Sequence, residues 1–400
     1  MFCKNKFIIT CFLLLVTAVF AAREFNRIKP HRVWRLKRVY PSYTNLQGFK
    51  LVKVNAKVMS NFEQKLLTID KKVIDYDLSY TGEHFALIIK EGKDSRLFYC
   101  NPGEVELFEF SRFEGCRDSS PAMTKNGNEI FFASDRFRNY EIFRANVADF
   151  NQDPKYFIQY ELHNMSDNLN PAVDYNGRIL AYESTKRERK NQIYVLNRKT
   201  GEELLVSDPL FYCKRPRVAG DGSSVVYEAV DKGNFEIYTA DLQNKFMINI
   251  SDNSARDIHP DIDETANRIV FQSDRNNDIY DIYMFDFQLK KMFNLTHNIK
   301  SKDNLPSISA DGQIVAFAAN EKFINDCIKV IDFNLKIIFI FWDNDYIRNR
   351  PQLAKDGNSL VYYRNGELYK VDLVKTRQQY GSGELPTERQ DVFQINNVRE

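Results

Sequence analysis

A chain of 400 residues with 43% hydrophobic side chains holds ample material for a buried core, and its 31 Phe and 21 Tyr argue against disorder. The 56 Lys and Arg nearly balance 54 Asp and Glu, so no overall field marks a nucleic-acid binder, and a charged partner must meet a local patch. Length alone permits two or three domains, but one closed repeat architecture absorbs it equally, so internal repeats decide.

The chain opens with a basic stretch to Lys6, an apolar run from Phe7 to Phe20 and Ala21-Ala22. Those three parts read as a signal peptide over residues 1–22, with Val19-Phe20-Ala21 as its cleavage site. The apolar run is shorter than the roughly 20 residues of a spanning helix, so an uncleaved membrane anchor is the alternative. Residues 23–61 form a basic amino-terminal extension in which Arg23, Arg27, Lys29, Arg32, Arg35, Lys37 and Arg38 face only Glu24 among the first sixteen positions. Such a cluster resists translocation and keeps the anchor alternative in view. Arg35-Leu36-Lys37-Arg38 resembles a site for furin-like convertases, and a solvated basic tail is its plainer reading.

A Pro followed six residues later by Gly recurs as Pro121/Gly127, Pro171/Gly177, Pro216/Gly222, Pro306/Gly312 and Pro351/Gly357. Tyr76/Gly82 and Pro260/Ala266 are degenerate copies, so the anchors fall at 76, 121, 171, 216, 260, 306 and 351, 44 to 50 residues apart. Pro cannot donate to a ladder and suits the start or edge of a first strand. Asn-Gly or Asp-Gly dipeptides then make the tight hairpin turn. A second strand apolar on both faces follows, as Ile130-Phe131-Phe132, Val225-Val226-Tyr227 or Val315-Ala316-Phe317, and must be covered on both sides. Ser134-Asp135-Arg136 and Ser273-Asp274-Arg275 mark the next turn. Third strands open as Glu141-Ile142-Phe143, Gln192-Ile193-Tyr194, Glu236-Ile237-Tyr238 and Asp281-Ile282-Tyr283, and fourth strands such as Lys291 to Leu295 lead to the next anchor. Four short antiparallel strands at this period predict an all-β fold, a β-propeller of about seven blades over residues 62–373, with six or eight as alternatives. The segment from Gln64 to Ile69 is fourth-strand-like and the last copy has only three clear strands, so the amino-terminal strand is expected to complete the last blade. No helical period is visible beyond the signal. The polar tail, 374–400, is expected to be flexible, with one extra strand near Val392 to Ile395.

This grammar resembles the TolB-type (WD-like, PD-type) propeller repeat over roughly residues 62–373. The resemblance is to the repeat, without the separate α/β amino-terminal domain of TolB, for which residues 23–61 are too few. It implies a fold and says little about function.

Candidate sites are correspondingly few. Asp135, Arg136, Asp274 and Arg275 are candidate ligand-facing residues on the face that carries the blade connections, and fastening of the hairpin turn is the competing reading. His259, with Asp261 and Asp263, is a candidate channel ligand. Some propellers of this type act as oligogalacturonate lyases with a histidine-held metal, but of the five His, His84, His163, His259 and His297 fall in four different copies at unmatched offsets. Asn164, Asn249 and Asn294 lie in N-glycosylation sequons, all at the end of a fourth strand, where they serve equally as turn residues. Removing the signal leaves Cys100, Cys116, Cys213 and Cys327, which the blade positions keep apart, so four free thiols or at most one bridge are expected. No Gly-x-Ser-x-Gly elbow or room for a hydrolase domain exists. The expectation is an extracytoplasmic, monomeric, non-catalytic scaffold for a protein or glycan partner, without cofactor and without nucleic acid, in the periplasm or secretory pathway or secreted. The alternatives are a metal-dependent polysaccharide lyase-like enzyme working at the channel mouth and a membrane-tethered propeller.

Overall fold

The computed structural model describes residues 42–43, 49–55, 59–68, 71–101, 106–110, 113–147, 158–162, 164, 166–187, 189–276, 278–297, 301–321, 326–342, 351–364, 367–381 and 393–394. The signal segment, the basic residues 23–41 and the Arg35 to Arg38 motif lie outside them, as does His163.

Seven antiparallel sheets follow one another along the chain, over residues 72–109, 118–162, 168–205, 213–249, 257–294, 301–342 and 352–372. Each reads from inner to outer strand in chain order. The doubly apolar second strands explain the stacking. Along Glu129–Phe137, Ile130 and Phe132 join the core shared with blade 1, whereas Phe131 and Ala133 join the core shared with blade 3. Successive side chains of a strand point to opposite faces, so one buried strand feeds two cores. Seven such cores occur among the described residues, and one of them joins Leu66, Val361 and Leu368 of blade 7 to Val73 and Leu87 of blade 1, closing the circle.

Closure is covalently indirect but hydrogen-bonded in two ways. Glu63–Thr68 pairs antiparallel with Glu367–Asp372 and supplies the fourth strand of blade 7, as the sequence leads one to expect. Around the opposite end of the strands, seven backbone bonds of 2.7 to 3.1 Å run from blade to blade: Tyr80 N to Lys125 O, Lys125 N to Tyr175 O, Tyr175 N to Gly220 O, Asp221 N to Glu264 O, Glu264 N to Ala310 O, Ala310 N to Lys355 O and Asp356 N to Tyr80 O. The face bearing this ring is called lower. The face with the blade connections is called upper.

Pro121, Pro171, Pro216, Pro260 and Pro306 sit within the inner strands, whereas Pro351 directly precedes Gln352–Leu353. The register shifts at each of the five, for example between Ser119 and Ala122, and the preceding residue takes a left-handed conformation: Ser120, Asn170, Arg215, His259 and Leu305 have φ between 47° and 55°. An inner strand is the edge facing the channel, so a residue without an N–H costs no ladder bond there, and the extra residue makes a bulge.

Three features depart from the sequence reading. Lys50–Asn55 lies parallel beside Ile337–Trp342 as a fifth strand of blade 6, and Ser42–Tyr43 does the same beside Lys291–Asn294 of blade 5. Where a flexible tail without helix is expected, Leu373–Gly381 forms a helix, capped by the Asp372 carboxylate at Lys375 N. Its Leu373, Thr376 and Tyr380 are buried, three positions that are too few to register as a period. Phe393–Gln394 pairs with the fifth strand of blade 6, within the stretch expected to be extended.

Candidate functional site

The inner strands surround a channel cavity of about 530 Å³. Its wall is fastened by side chains that reach across blade boundaries. Glu183 accepts from Arg215 N at 2.7 Å, Glu228 from His259 N at 2.9 Å, and Gln272 from Leu305 N at 2.9 Å. One step further along the inner strands, Asp77 accepts from Met123 N at 2.8 Å and Asp261 from Ile308 N at 2.9 Å. Each of these five backbone N–H groups therefore finds a side chain of the preceding blade. Burial pushes the Asp77 and Glu183 carboxyls up, opposed by these amide bonds. Lys355 also reaches Asp261 at 3.0 Å, and Arg215 reaches Glu228 at 3.2 Å.

His259 lines this channel, at the left-handed position before Pro260. Among the described residues no three His, Cys, Asp or Glu side chains converge to hold a metal ion. Asp261 is already bonded to an ammonium, His84 bonds Tyr99 and His297 bonds Asn276. The described residues do not fit a resident divalent ion.

The Ser-Asp-Arg residues are placed in the hairpins themselves. Asp135 accepts from Arg117 N and Nε, and Asp274 from Arg256 N. The Arg136 side chain is 2% exposed, pairs with Asp118 at 3.0 Å and lies 4.5 Å from the Phe143 ring, itself stacked on Phe132. Arg275 repeats this with Asp257 at 2.9 Å and Tyr283 at 4.3 Å. Lys186 over Tyr194 and Arg364 over Tyr369 occupy the same place in blades 3 and 7. The repeat thus places a cation over an aromatic pair from strands two and three. The two Asp-Arg pairs belong to different blades, and His259 lies in the channel apart from those hairpins.

Two of the three sequon asparagines are built into the blades. Asn249 and Asn294 are each 3% exposed, and Asn294 Nδ2 donates to Asp281 and to Tyr283 Oη. Their side-chain oxygens accept from the backbone N–H two and three residues on, and the following hydroxyls, Ser251 and Thr296, accept from Ile237 N and Ile282 N. Ser207 does the same for Ile193 N in a blade with no sequon, so the motif ends the fourth strand. A glycan requires the Asn nitrogen in solvent. Only Asn164 of the three is exposed. Cys100, Cys116, Cys213 and Cys327 are buried as thiols, and burial pushes the Cys100 thiol up to about 11.

The sequence reading missed a ring of equivalent residues, four before each anchor, at the upper ends of the inner strands. Lys72, Arg117, Asp167, Tyr212, Arg256 and Lys302 are all exposed. The matching lower turns, four and five after the anchors, carry Lys125 and Lys355 against Asp221, Glu264, Asp311 and Asp356. Reading one repeat position down the ladder would have found both.

Seven four-stranded sheets closed around a channel define a β-propeller. The TolB beta propeller domain family matches residues 156–380, more than half of the chain, and the protein belongs to that family. Among solved structures it is similar to oligogalacturonate lyase from Vibrio parahaemolyticus, with TM-score 0.56 and 8% identity over 78% of this chain and 91% of that one. An oligogalacturonate lyase in complex with manganese gives 0.57 and 10% over 77% and 89%. A prolyl endopeptidase gives 0.55 and 10% over 84% of this chain and 53% of the enzyme. At these identities the likeness is one of fold alone. No curated protein sequence matches the chain.

Proposed function

We propose that this propeller is an extracytoplasmic, non-catalytic binding scaffold that presents its upper face and channel mouth to a protein or glycan partner. The observation that carries the reading is the use of the carboxylates in and behind the channel wall: Asp77, Glu183, Glu228 and Asp261 each hold a backbone N–H of the next blade. Groups committed to fastening a wall are poorly placed to shuttle protons, and they keep the ring rigid, which lowers the ordering cost of binding.

The test is site-specific photo-cross-linking on the full chain, with the cross-linker at exposed Tyr212 on the upper face or exposed Asn176 on the lower turn. Capture of one partner from Tyr212 and not Asn176 supports the reading. Manganese-dependent release of unsaturated oligosaccharide from polygalacturonate overturns it in favour of the lyase-like alternative. Export rests on the three-part amino-terminal segment. Sequencing of the mature amino terminus checks it, and a retained segment makes the scaffold membrane-tethered.

A further inference from the structure

We propose that the upper mouth of the channel binds an acidic polypeptide segment that carries apolar side chains. The inference deepens the scaffold reading and rests on it.

The propeller is polarised along its channel axis. At the upper ends of six described inner strands stand Lys72, Arg117, Arg256 and Lys302, with Asp167 as the single acid and Tyr212 completing the set. At the lower turns, four acids face two lysines, and the Tyr80 hydroxyl is pushed up by burial and then by Glu264, Asp356 and Asp311. Charge at repeat-equivalent positions adds because propeller closure brings residues 44 to 50 apart in sequence side by side around one opening. A ring of like charge around a low-dielectric channel focuses its field at the mouth. One of the four cations is partly neutralised: Arg117 pairs with Asp135 at 2.7 Å. Asp274 binds the backbone N–H of Arg256, leaving that guanidinium 5.5 Å from the Phe235 ring, beside Lys214 at 4.0 Å from the same ring. Lys72, Arg256 and Lys302 therefore contribute most of the attraction.

The connection between blades 3 and 4 decides between a polypeptide and a polyanion without apolar groups. Leu210 is 77% exposed and Tyr212 43% exposed, next to the cationic ring on the same face. Acidic side chains meet the ring, and an apolar side chain of the same segment covers Leu210 and Tyr212. A uronate chain has no side chain for that contact.

The experiment measures fluorescence anisotropy of a labelled peptide of alternating glutamate and leucine with the full chain. Control arms use an alternating lysine and leucine peptide, an all-glutamate peptide and polygalacturonate. The glutamate–leucine peptide is expected to bind best, with affinity falling about tenfold on a fivefold rise in salt. Lys72→Glu/Arg256→Glu/Lys302→Glu is expected to weaken it at least about tenfold, whereas the charge-matched control Lys199→Glu/Lys291→Glu/Lys375→Glu, on the lower side, leaves it within about twofold. Leu210→Ser is expected to remove the advantage over the all-glutamate peptide. If the triple variant does not fold, Lys302→Glu alone provides the comparison.

Equal binding of the lysine–leucine peptide, or indifference to both the triple reversal and Leu210→Ser, overturns the proposal. Preferential, ring-dependent binding of polygalacturonate overturns it in favour of an anionic glycan. A partner cross-linked at Tyr212 while the acidic peptide fails sinks this inference and leaves the scaffold reading standing.

Discussion

Arg136 and Asp118 form an ion pair that is almost wholly buried, 2% and 0% exposed, with the guanidinium between the carboxylate and the Phe143 ring. Removing one partner of such a pair leaves an uncompensated buried charge, which typically costs about 3 to 5 kcal/mol. Arg136→Ala is expected to lose stability of that order in chemical denaturation, while Asp118→Asn/Arg136→Met loses much less. A loss below about 1 kcal/mol in the single variant would show the pair to be idle.

Ala266 holds the hairpin position that is glycine in six blades, at φ 57°. A left-handed conformation costs a residue with Cβ about 1 to 2 kcal/mol, partly offset by the greater chain entropy that glycine loses on folding. Ala266→Gly is expected to raise stability by about 0.5 to 1 kcal/mol, read as a higher denaturation midpoint with unchanged slope. Destabilisation would mean that the methyl group's packing outweighs the backbone strain.

Burial pushes the Glu236 carboxyl up to about 7, with a bond from Ser251 opposing and the Asp257 charge adding. A raised folded value means that the folded state binds the proton more tightly. The stabilisation is therefore complete below the unfolded value near 4.5 and is lost as pH rises towards 7. A shift of this size corresponds to about 3 kcal/mol. Gln192 occupies the equivalent position in blade 3 as a neutral amide. Glu236→Gln is expected to flatten the stability profile between pH 4.5 and 7, and an unchanged slope would assign the pH dependence elsewhere.

Produced through a eukaryotic secretory route, the folded protein is expected to carry no glycan at Asn249 or Asn294. Glycopeptide mass spectrometry reads this directly. Asn294→Ala is expected to cost about 1 to 3 kcal/mol, because buried Asp281 loses a donor.

Cys100, Cys116, Cys213 and Cys327 are expected to resist maleimide in the native protein at neutral pH and to react fully in denaturant, since buried thiols ionise poorly. Fast native labelling of any one would place it in a more open environment than the blade cores.

The blade register was legible because its signals are local: the Pro to Gly spacing, the doubly apolar strand and the third-strand opening repeat in each copy. The missing fourth strand of blade 7 was legible for the same reason, and Glu63–Thr68 fills it. Site residues were harder. Asn294 and Asn164 look alike as sequons, but one is buried against Asp281 and the other faces solvent. Ser134-Asp135-Arg136 reads as an exposed polar turn, yet Arg136 folds back over Phe132 and Phe143, whose facing position depends on strand pairing.

Composition, period and turn chemistry were enough to specify the ring, since the strands of each repeat are neighbours in sequence and each apolar run demands cover on both faces, and the strand lacking from the last repeat pointed to Glu63–Thr68 for closure. Burial of Arg136, Asn249 and Asn294, the added strands on blades 5 and 6, and the opposed charges of the two channel mouths came only with the folded ring. The three burials depend on pairing between strands of one blade, as Arg136 with Asp118 and Asn294 with Asp281, and the added strands and the charged mouths on stretches far apart in sequence, so no short stretch holds both partners.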